Sequence, residues 1–403
     1  MKIDKTIGVA LVCLLLSGCG NKQSGQKGSS VQTGVLPQSD ISLTEINIDM
    51  GNKDDAYPAD SLFEFDSFIK LETTNDNLIG DVEDILFLND KIVIEDMKYS
   101  KTVTVYDMRG RFLTTVSKLG PGPEEYTSLN YVSVSPVTGM IQITNPGGGK
   151  VLFYDENGRF RDSKKTPFFM ESYEPLGDNL VVAQDPYGFP LDGVEGKPCI
   201  IVSDWEGNVK YHAFQSDFHE NSPYWVSRYP IHWYGDKLLY FQVYREQDTI
   251  YQITPDGAVP YYYLNIKGRN KITEEDKKVQ NFNEKILKKM AARFDGDFME
   301  MKDYAVFDIC VARSSWPRFA VYSKAKKKCY YCTGKYFDPR LHFVIGYRNL
   351  YKDNVFVTCV QASHLLSKKD MIYSLCKKED ADALFDGVTE DSNPVLLFYR
   401  VKI

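Results

Sequence analysis

The stretch 116–129, VSKLGPGPEEYTSL, contains residue types that can bind phosphate, hold a cation or transfer protons. Glycine-rich loops cradle phosphate through backbone amides, and paired carboxylates can bind metal ions or act as acid and base. The stretch lacks the Gly-Lys-Ser/Thr ending of a Walker loop, and its two prolines have no amide hydrogen to offer a phosphate. It also lacks the regular acidic spacing of a calcium loop. We interpret it as a connecting turn in which Glu124, Glu125 and Tyr126 are candidate ligand contacts.

Two further segments combine aromatic rings with arginines, PYWVSRYPIHWY (223–234) and ARSSWPRF (312–319). Such side chains can stack on a sugar or a peptide, and tryptophan and arginine are enriched in binding sites. Packing between β-sheets is the alternative. The candidate stacking residues are Trp225, Arg228, Trp233, Arg313 and Trp316.

Histidines and cysteines form no recognisable catalytic or metal-binding pattern. The five histidines do not recur at one repeat position, and Cys329-x-x-Cys332 has neither a second pair nor a histidine at ligand spacing. A redox pair is the alternative interpretation of this motif. No Gly-x-Ser-x-Gly is present. We predict no catalytic residue, no metal ligand and no cofactor, and we leave open calcium or another metal ion held in a central channel.

The N-terminus predicts export and lipid attachment. A basic start precedes an apolar run (7–16) that is too short to span a bilayer permanently, as in a signal peptide. The run ends in LSGC (16–19), which resembles a bacterial lipobox, so we expect residues 1–18 to be removed and Cys19 to carry lipid. Residues 19–40 are rich in Gly, Ser, Gln and Lys and are expected to form a flexible tether. The predicted location is therefore extracytoplasmic, on a membrane.

Composition excludes nucleic acid as a partner. The chain of 403 residues has 48 Lys and Arg against 55 Asp and Glu, a formal net charge of −7. Nucleic-acid binding requires a basic surface, which this balance does not favour. The 27 tyrosines and 23 phenylalanines favour β-strands.

A repeat organises the rest of the chain. Gly110, Gly158, Gly207 and Gly257 lie 48, 49 and 50 residues apart, each in a turn between two strand-like runs. A second pattern of strand, turn and strand lies between them, as in DILFLNDKIVIED (84–96). Four strands in about 48 residues correspond to one blade of a β-propeller.

Residues 41–403 are predicted to form six blades, or seven if the region 300–350 has another organisation. The fifth blade is carried by residues 319–331, and the sixth by 354–360 and 394–403, after which no outer strand remains. The early run ISLTEINIDM (41–50) is predicted to supply that strand and close the ring, which removes an exposed sheet edge. The predicted fold class is all-β, a six-bladed β-propeller with four-stranded blades.

One region departs from the β pattern. Apolar residues between 273 and 298 recur at helical spacing, which predicts an amphipathic helix inserted between blades four and five. Packing of this helix against the propeller is favoured over a lid or partner-binding role. A shorter helix is predicted at 378–384.

The chain resembles the six-bladed β-propeller lipoproteins of gut-type Gram-negative bacteria, which are NHL-like in architecture. The motifs LGPGPEEY (119–126), DTIYQI (248–253) and DSNPVLLFYRVK (391–402), together with the lipobox, carry the resemblance over nearly the whole chain. The family usually has GPGEY where this chain has GPGPEEY (120–126). The resemblance implies the fold and little about chemistry. We expect the protein to be located at the outer membrane of a Gram-negative bacterium. The sequence leaves open a position that faces the periplasm.

Two functions are compatible with these patterns. The first is a non-enzymatic module that binds a glycan, a peptide or an envelope protein at one face of the propeller. The alternative is a lyase or hydrolase with a metal ion at the central channel. That alternative requires Asp, Glu, His or Asn side chains from different blades to converge on one point.

Overall fold

The computed structural model describes residues 33–36, 43–49, 52–116, 119–216, 230–241, 248–267, 292–311, 318–345 and 348–403. Their strands form six separate antiparallel sheets of four strands, two of which carry a fifth, parallel strand. Each sheet is one propeller blade, numbered I to VI from the sheet that starts at Asp84. Three strands precede that sheet in the chain: β1 (Thr44–Ile48), β2 (Ala56–Tyr57) and β3 (Phe63–Lys70).

The blades follow one another along the chain. Blade I contains β4 (Asp84–Leu88), β5 (Lys91–Asp96), β6 (Thr102–Asp107) and β7 (Phe112–Thr115). Blade II contains β8 (Tyr131–Ser135), β9 (Met140–Asn145), β10 (Lys150–Tyr154) and β11 (Phe160–Lys165). Blade III contains β12 (Ser172–Leu176), β13 (Leu180–Gln184), β14 (Pro198–Asp204) and β15 (Val209–Gln215).

The second half of the ring has the same strand order. Blade IV contains β16 (Ile231–Tyr234), β17 (Lys237–Phe241), β18 (Thr249–Thr254) and β19 (Gly257–Ile266), with β1 added outside. Blade V contains β20 (Ala292–Glu300), β21 (Tyr304–Val311), β22 (Arg318–Ser323) and β23 (Lys328–Cys332), with β2 added outside. Blade VI contains β24 (Arg348–Lys352), β25 (Val355–Val360), β26 (Val395–Val401) and β3.

The hydrophobic core lies between adjacent blades. Middle strands such as β5 and β14 are buried on both faces, which explains their continuous apolar runs. Val93 of blade I packs in one cluster with Ile143 of blade II, and Leu239 of blade IV packs with Phe307 of blade V. The first strands of successive blades also contact one another, β24 with β4, β4 with β8 and β8 with β12. These first strands therefore line the centre of the ring.

The ring closes with an N-terminal strand, but not with the predicted one. β3 pairs antiparallel with β26 and completes blade VI, whereas β1, inside the predicted run 41–50, pairs parallel with β19 of blade IV. Ile46 and Ile48 of β1 are buried in the cluster between blades IV and V. Both N-terminal runs alternate apolar and polar residues, so the pattern alone could not decide which of them meets β26.

The two faces of the ring differ in their connections. In blades I to V the first and second strands, and the third and fourth, are joined by turns of two to five residues. In blade VI this holds only for the first and second strands, because its fourth strand, β3, comes from the N-terminal part of the chain. The remaining connections, inside and between blades, contain four to 34 residues. Because strands alternate in direction, all short turns lie on one face and all other connections on the opposite face. We call these the turn face and the connector face.

The described helices are short. They are α1 (Ala59–Leu62), α2 (Ala362–Leu366), α3 (Lys369–Leu375) and α4 (Lys378–Phe385), with 3-10 helices at Lys53–Asp55, Pro146–Gly148 and Pro339–Ile345. The predicted helix at 378–384 is confirmed by α4. Most of the predicted helical insertion (273–298) lies outside the described residues, and its last part, from Ala292, belongs to β20. None of the described helices is long and apolar enough to cross a membrane.

Candidate functional site

The GPGPEEY loop lies on the connector face between blades I and II, and its polar groups are used internally. The amide of Gly122 donates to Glu125 Oε2 at 2.9 Å. Lys150 Nζ donates to the carbonyl of Gly122 at 2.8 Å. A Cβ on Gly120 would lie 2.2 Å from Glu125 Oε2, so a larger residue there would displace the Glu125 carboxylate. The loop therefore holds itself closed around one of the two candidate glutamates.

The other candidates of this loop have different surroundings. Tyr126 is fully buried, and its hydroxyl donates to the carbonyl of Lys101 at 2.7 Å. Burial raises the pKa of Tyr126 well above its usual range. The side chain of Glu124 is exposed, while its carbonyl accepts from Tyr154 Oη at 2.8 Å. Of the three, Glu124 is the one whose side chain is exposed to solvent, whereas Tyr126 belongs to the core.

A hydrogen-bonded network at the centre of the ring was not predicted from the sequence. Glu174, on the first strand of blade III, accepts from Tyr131 Oη at 2.8 Å and from Trp233 Nε1 at 2.8 Å. Gln142 Nε2 lies 3.2 Å from Glu174 Oε2 and 2.9 Å from Ser133 Oγ. Blades II, III and IV each contribute to this group, which we call the Glu174 network.

The Glu174 network links three neighbouring blades near the centre of the ring. Tyr131 Oη also lies 3.2 Å from the carbonyl of Ile231, so a side chain of blade II reaches blade IV past blade III. Glu174 itself is only 1% exposed. Its burial raises the pKa of the Glu174 carboxyl, and hydrogen bonds from Ser133, Tyr131, Trp233 and Gln142 oppose that rise.

The opposite side of the ring holds a buried ion pair. Arg348, the first residue of β24, lies 2.5 Å from Asp308 Oδ1, with 2% and 7% of the two side chains exposed. The guanidinium also lies 3.5 Å from the ring centre of Phe319, at cation–π distance. Next to it, Asn349 Nδ2 donates to Asp84 Oδ1 of blade I at 2.7 Å. These contacts join blades V, VI and I around the centre.

Only one of the five predicted stacking residues lies in the described part of the chain. Trp233 lies in the Glu174 network, where its ring nitrogen is a donor. Trp225, Arg228, Arg313 and Trp316 lie outside the described residues, as does the predicted lipidation residue Cys19. One sequence signal could have indicated the missed residues: Glu174 in SYEPL and Asp308 in YAVFDICV are charged residues within apolar strands. Such residues are rarely buried without partners.

Cysteine and metal chemistry find little support in the described residues. Cys329 and Cys332 lie buried in β23, and burial raises the pKa of Cys329 to about 12, so a reactive thiolate is not formed there. Cys329, Cys332, Cys359 and Cys376 are free thiols. Within the described parts of the chain, no group of three or more His, Cys, Asp or Glu side chains could hold a metal ion.

Exposed apolar side chains concentrate on the connector face. Among the described residues, every large apolar side chain more than half exposed lies on a connector segment: Leu78, Tyr99, Leu119, Phe169, Phe337 and Leu375. Phe337 and Phe169 are the most exposed, at 79% and 69%. On the turn face, Val137 is 42% exposed. The two faces therefore differ in surface chemistry as well as in loop length.

Similar folds occur in proteins of Bacteroides. A protein described as exported, from Bacteroides fragilis, superposes with a TM-score of 0.69 at 18% identity, covering 90% of this chain and 100% of that chain. A member of the family DUF4221 from Bacteroides vulgatus gives a TM-score of 0.50 at 9% identity, over 84% and 98% of the two chains. At these identities the likeness is one of fold. The comparison with curated proteins yields no match.

A family profile matches nearly the whole propeller. The match covers residues 43–400, from the strand added to blade IV to the last strand of blade VI. The chain therefore belongs to the family described as domain of unknown function DUF4934.

Proposed function

We propose that this protein is an extracytoplasmic binding module, anchored by lipid on Cys19, that holds a peptide or protein of the cell envelope on its connector face. One observation carries the proposal: the most exposed large apolar side chains of the described chain all lie on that face. Isolated apolar residues are common on surfaces, whereas exposed apolar patches mark interaction sites, so a concentration of such residues on one face supports a binding role there. Long connections on a rigid scaffold are also where binding residues are usually found.

Two of the exposed aromatic residues lie next to backbone that is fixed by side chains from elsewhere. The amides of Phe337 and Asp338 donate to the carboxylate of Asp60 at 2.5 Å and 2.7 Å. Beside Phe169, Tyr173 Oη donates to the carbonyl of Phe168 at 2.6 Å. Preorganised aromatic side chains lose little conformational entropy on binding, which favours affinity. Phe169 and Phe337 are therefore suited to anchor a partner.

Other observations support export and membrane anchoring. The signal-like N-terminus ends in LSGC at Cys19, and one structure with the same fold belongs to a protein described as exported. Stable membrane attachment takes more than one acyl chain, which a diacylglycerol on Cys19 would supply. The resulting position is the outer membrane of a Gram-negative cell.

Site-specific photo-crosslinking in the native envelope tests the proposed function. A benzoylphenylalanine replaces Phe169 or Phe337 on the connector face, and Asp236 or Asp256 on the turn face as matched controls. The control side chains are 92% and 89% exposed, so access does not favour the connector positions. We expect discrete crosslinked protein bands from Phe169 and Phe337 and not from the controls.

Three results would count against the proposal. Crosslinks of equal yield from all four positions would indicate random collisions in the envelope. Crosslinks confined to Asp236 and Asp256 would assign binding to the turn face. A ligand found on a glycan array, with no protein crosslink, would replace the protein partner by a carbohydrate.

A further inference from the structure

The connector between β25 and β26 sets blade VI apart from the other blades. It contains 34 residues, 361–394, and carries the helices α2, α3 and α4. Buried side chains of these helices share one cluster with those of the preceding connector: Leu365, Ile372 and Leu384 with Leu341 and Phe343. The helices are therefore packed onto the connector that joins blades V and VI.

Two exposed apolar side chains lie where these two connectors touch. Cys376 Sγ is 3.9 Å from Asp338 Oδ1, so the residues that precede them in the chain, Leu375 and Phe337, lie on either side of one contact. Phe337 is 79% exposed and Leu375 is 63% exposed. We call them the Phe337–Leu375 pair. Large apolar side chains that stay in water at one place on a surface favour burial against a partner.

Three lysines lie beside this pair. Lys335 is two residues before Phe337, and Lys377 and Lys378 are two and three residues after Leu375. All three lysines are exposed, and within the described parts of the chain none of them has an ion-pair partner. Their positive charges are therefore available to a partner.

Most acidic groups near the pair already have partners. Asp60 accepts hydrogen bonds from two backbone amides of the connector. Arg340 lies 2.7 Å from Asp338 Oδ2 and 4.0 Å from Asp380 Oδ2. Glu379 is exposed next to the two adjacent lysines. Positive charge is therefore in excess beside the Phe337–Leu375 pair.

We propose that the Phe337–Leu375 pair and its three lysines bind a segment of the partner that combines acidic with apolar side chains. The inference rests on the proposed function, in which Phe337 anchors a peptide or protein of the envelope. Apolar side chains of this segment pack on the pair, and its carboxylates lie against the lysines. Aromatic anchors supply much of the binding energy of an interface, and complementary charges around them add specificity and speed association.

The charge of the whole insertion disfavours a lipid surface as the occupant. Exposed apolar side chains with lysines also occur where proteins lie on anionic membranes. Residues 361–394, however, contain seven Asp and Glu against four Lys. A flat anionic surface would approach many of these carboxylates at once, and like charges repel. A peptide is narrow enough to place its carboxylates at the lysines alone.

Identification of the peptide captured at position 337 tests the chemistry of the partner. The protein with benzoylphenylalanine in place of Phe337 is crosslinked in its native envelope, and the captured peptide is sequenced by mass spectrometry. We expect at least two Asp or Glu within about five residues of the crosslinked position, because an extended chain of that length spans about 17 Å.

Charge reversal with a matched control shows whether the lysines select the partner. Lys377→Glu with Lys378→Glu should lower the yield of the crosslink about fivefold, because two attractive contacts become repulsive. Lys378 is the first residue of α4, where glutamate favours the helix, so this variant should fold. Lys326→Glu with Lys327→Glu makes the same change at two adjacent exposed lysines of the turn face and should leave the yield unchanged. Unfolding curves that match the parent protein confirm that both variants are folded.

Several results would overturn the inference. A captured peptide without acidic residues, or equal yields from the two charge-reversed proteins, contradicts it directly. A crosslink to a second copy of this chain, or within the same chain, assigns the surface to another occupant. Sedimentation of the Cys19→Ser protein with phosphatidylglycerol vesicles, abolished by Lys377→Glu with Lys378→Glu, assigns it to a lipid surface. If position 169 gives a protein crosslink and position 337 does not, the binding module stands and this inference fails; if neither does, the proposed function fails as well.

Discussion

Two buried carboxylates on opposite sides of the ring are stabilised in different ways. Asp308, between blades V and VI, faces the full positive charge of Arg348, which in turn lies on the ring of Phe319. Glu174, between blades II and IV, is surrounded by the neutral donors Tyr131, Ser133, Gln142 and Trp233. Both side chains are almost completely removed from solvent. The difference lies in whether a charge or a set of dipoles compensates desolvation.

The difference has consequences for what each side can do. Removing one partner of a buried ion pair is strongly destabilising, because it leaves the other charge uncompensated. A carboxyl group among neutral donors has no cation beside it to favour its charged form, and burial raises the pKa of Glu174. We call blades V and VI the fixed side of the ring, because a full positive charge faces the buried carboxylate there, and blades II to IV the titratable side, because burial raises the pKa of Glu174.

The largest loss of stability is expected from a substitution on the fixed side of the ring. Arg348→Met leaves the Asp308 carboxylate buried without its cation, and breaking such a pair typically costs about 3–5 kcal/mol. Urea denaturation of the mature chain should show a loss of unfolding free energy of this order.

Two controls sharpen that result. Arg400→Met removes the exposed contact of Arg400 with Asp66 (2.6 Å) and should cost less than about 1 kcal/mol. Removing both charges with Arg348→Met and Asp308→Leu should recover most of the stability. A loss below about 1 kcal/mol for Arg348→Met alone would contradict the assignment of a buried ion pair.

The next largest loss of stability is expected from a substitution on the titratable side of the ring. Glu174→Leu removes the acceptor of the Tyr131, Gln142 and Trp233 donors, and each buried donor left without a partner costs about 1–3 kcal/mol. Rearrangement will satisfy some of them, so we expect a total loss of about 2–3 kcal/mol. Glu174→Gln keeps one carbonyl acceptor and should be markedly less harmful. Equal losses for the two variants would mean that volume, not hydrogen bonding, matters at this position.

The fold could be predicted because the propeller repeats a local pattern. Glycines at intervals of about 48 residues mark the same turn in successive blades, since a tight turn with positive φ needs glycine wherever it recurs. The choice between 41–50 and Phe63–Lys70 for ring closure could not be made, because it depends on which run meets β26 in space. Sequence spacing does not contain that contact.

Of the side chains that meet at the centre of the ring, only Trp233 was predicted as a candidate site residue. Trp233 was a candidate because of its type, but its partner Glu174 is about 59 residues away in the chain and in another blade. Neither the Glu174 network nor the Arg348–Asp308 pair has a sequence motif. Their common signal is a charged residue within an apolar strand, and that signal indicates burial without naming the partner.

A smaller effect is expected in the dependence of stability on pH, through Glu174 on the titratable side. The raised pKa of Glu174 means that the folded state holds a proton that the unfolded state releases above about pH 4.3. Its contribution to stability is therefore complete below that pH and is lost as pH rises through the folded-state pKa. The unfolding free energy of the parent chain, minus that of Glu174→Gln, should fall with a slope of at most about 1.4 kcal/mol per pH unit. A difference that stays constant between pH 4 and 8 would show that Glu174 titrates normally.

The smallest effect isolates one donor of the Glu174 network. Trp233→Phe removes the indole N–H that lies 2.8 Å from Glu174 Oε2, which should cost about 1 kcal/mol. Since that donor stabilises the charged carboxylate, its loss should raise the pKa of Glu174 further and move the pH profile of stability to higher pH. Trp205→Phe is the control, because Trp205 stacks on Tyr173 in blade III and is not among the groups that influence Glu174. A shift in the profile of Trp233→Phe but not of Trp205→Phe would show that the titratable side is set by individual neutral donors; equal profiles would assign the raised pKa to burial alone.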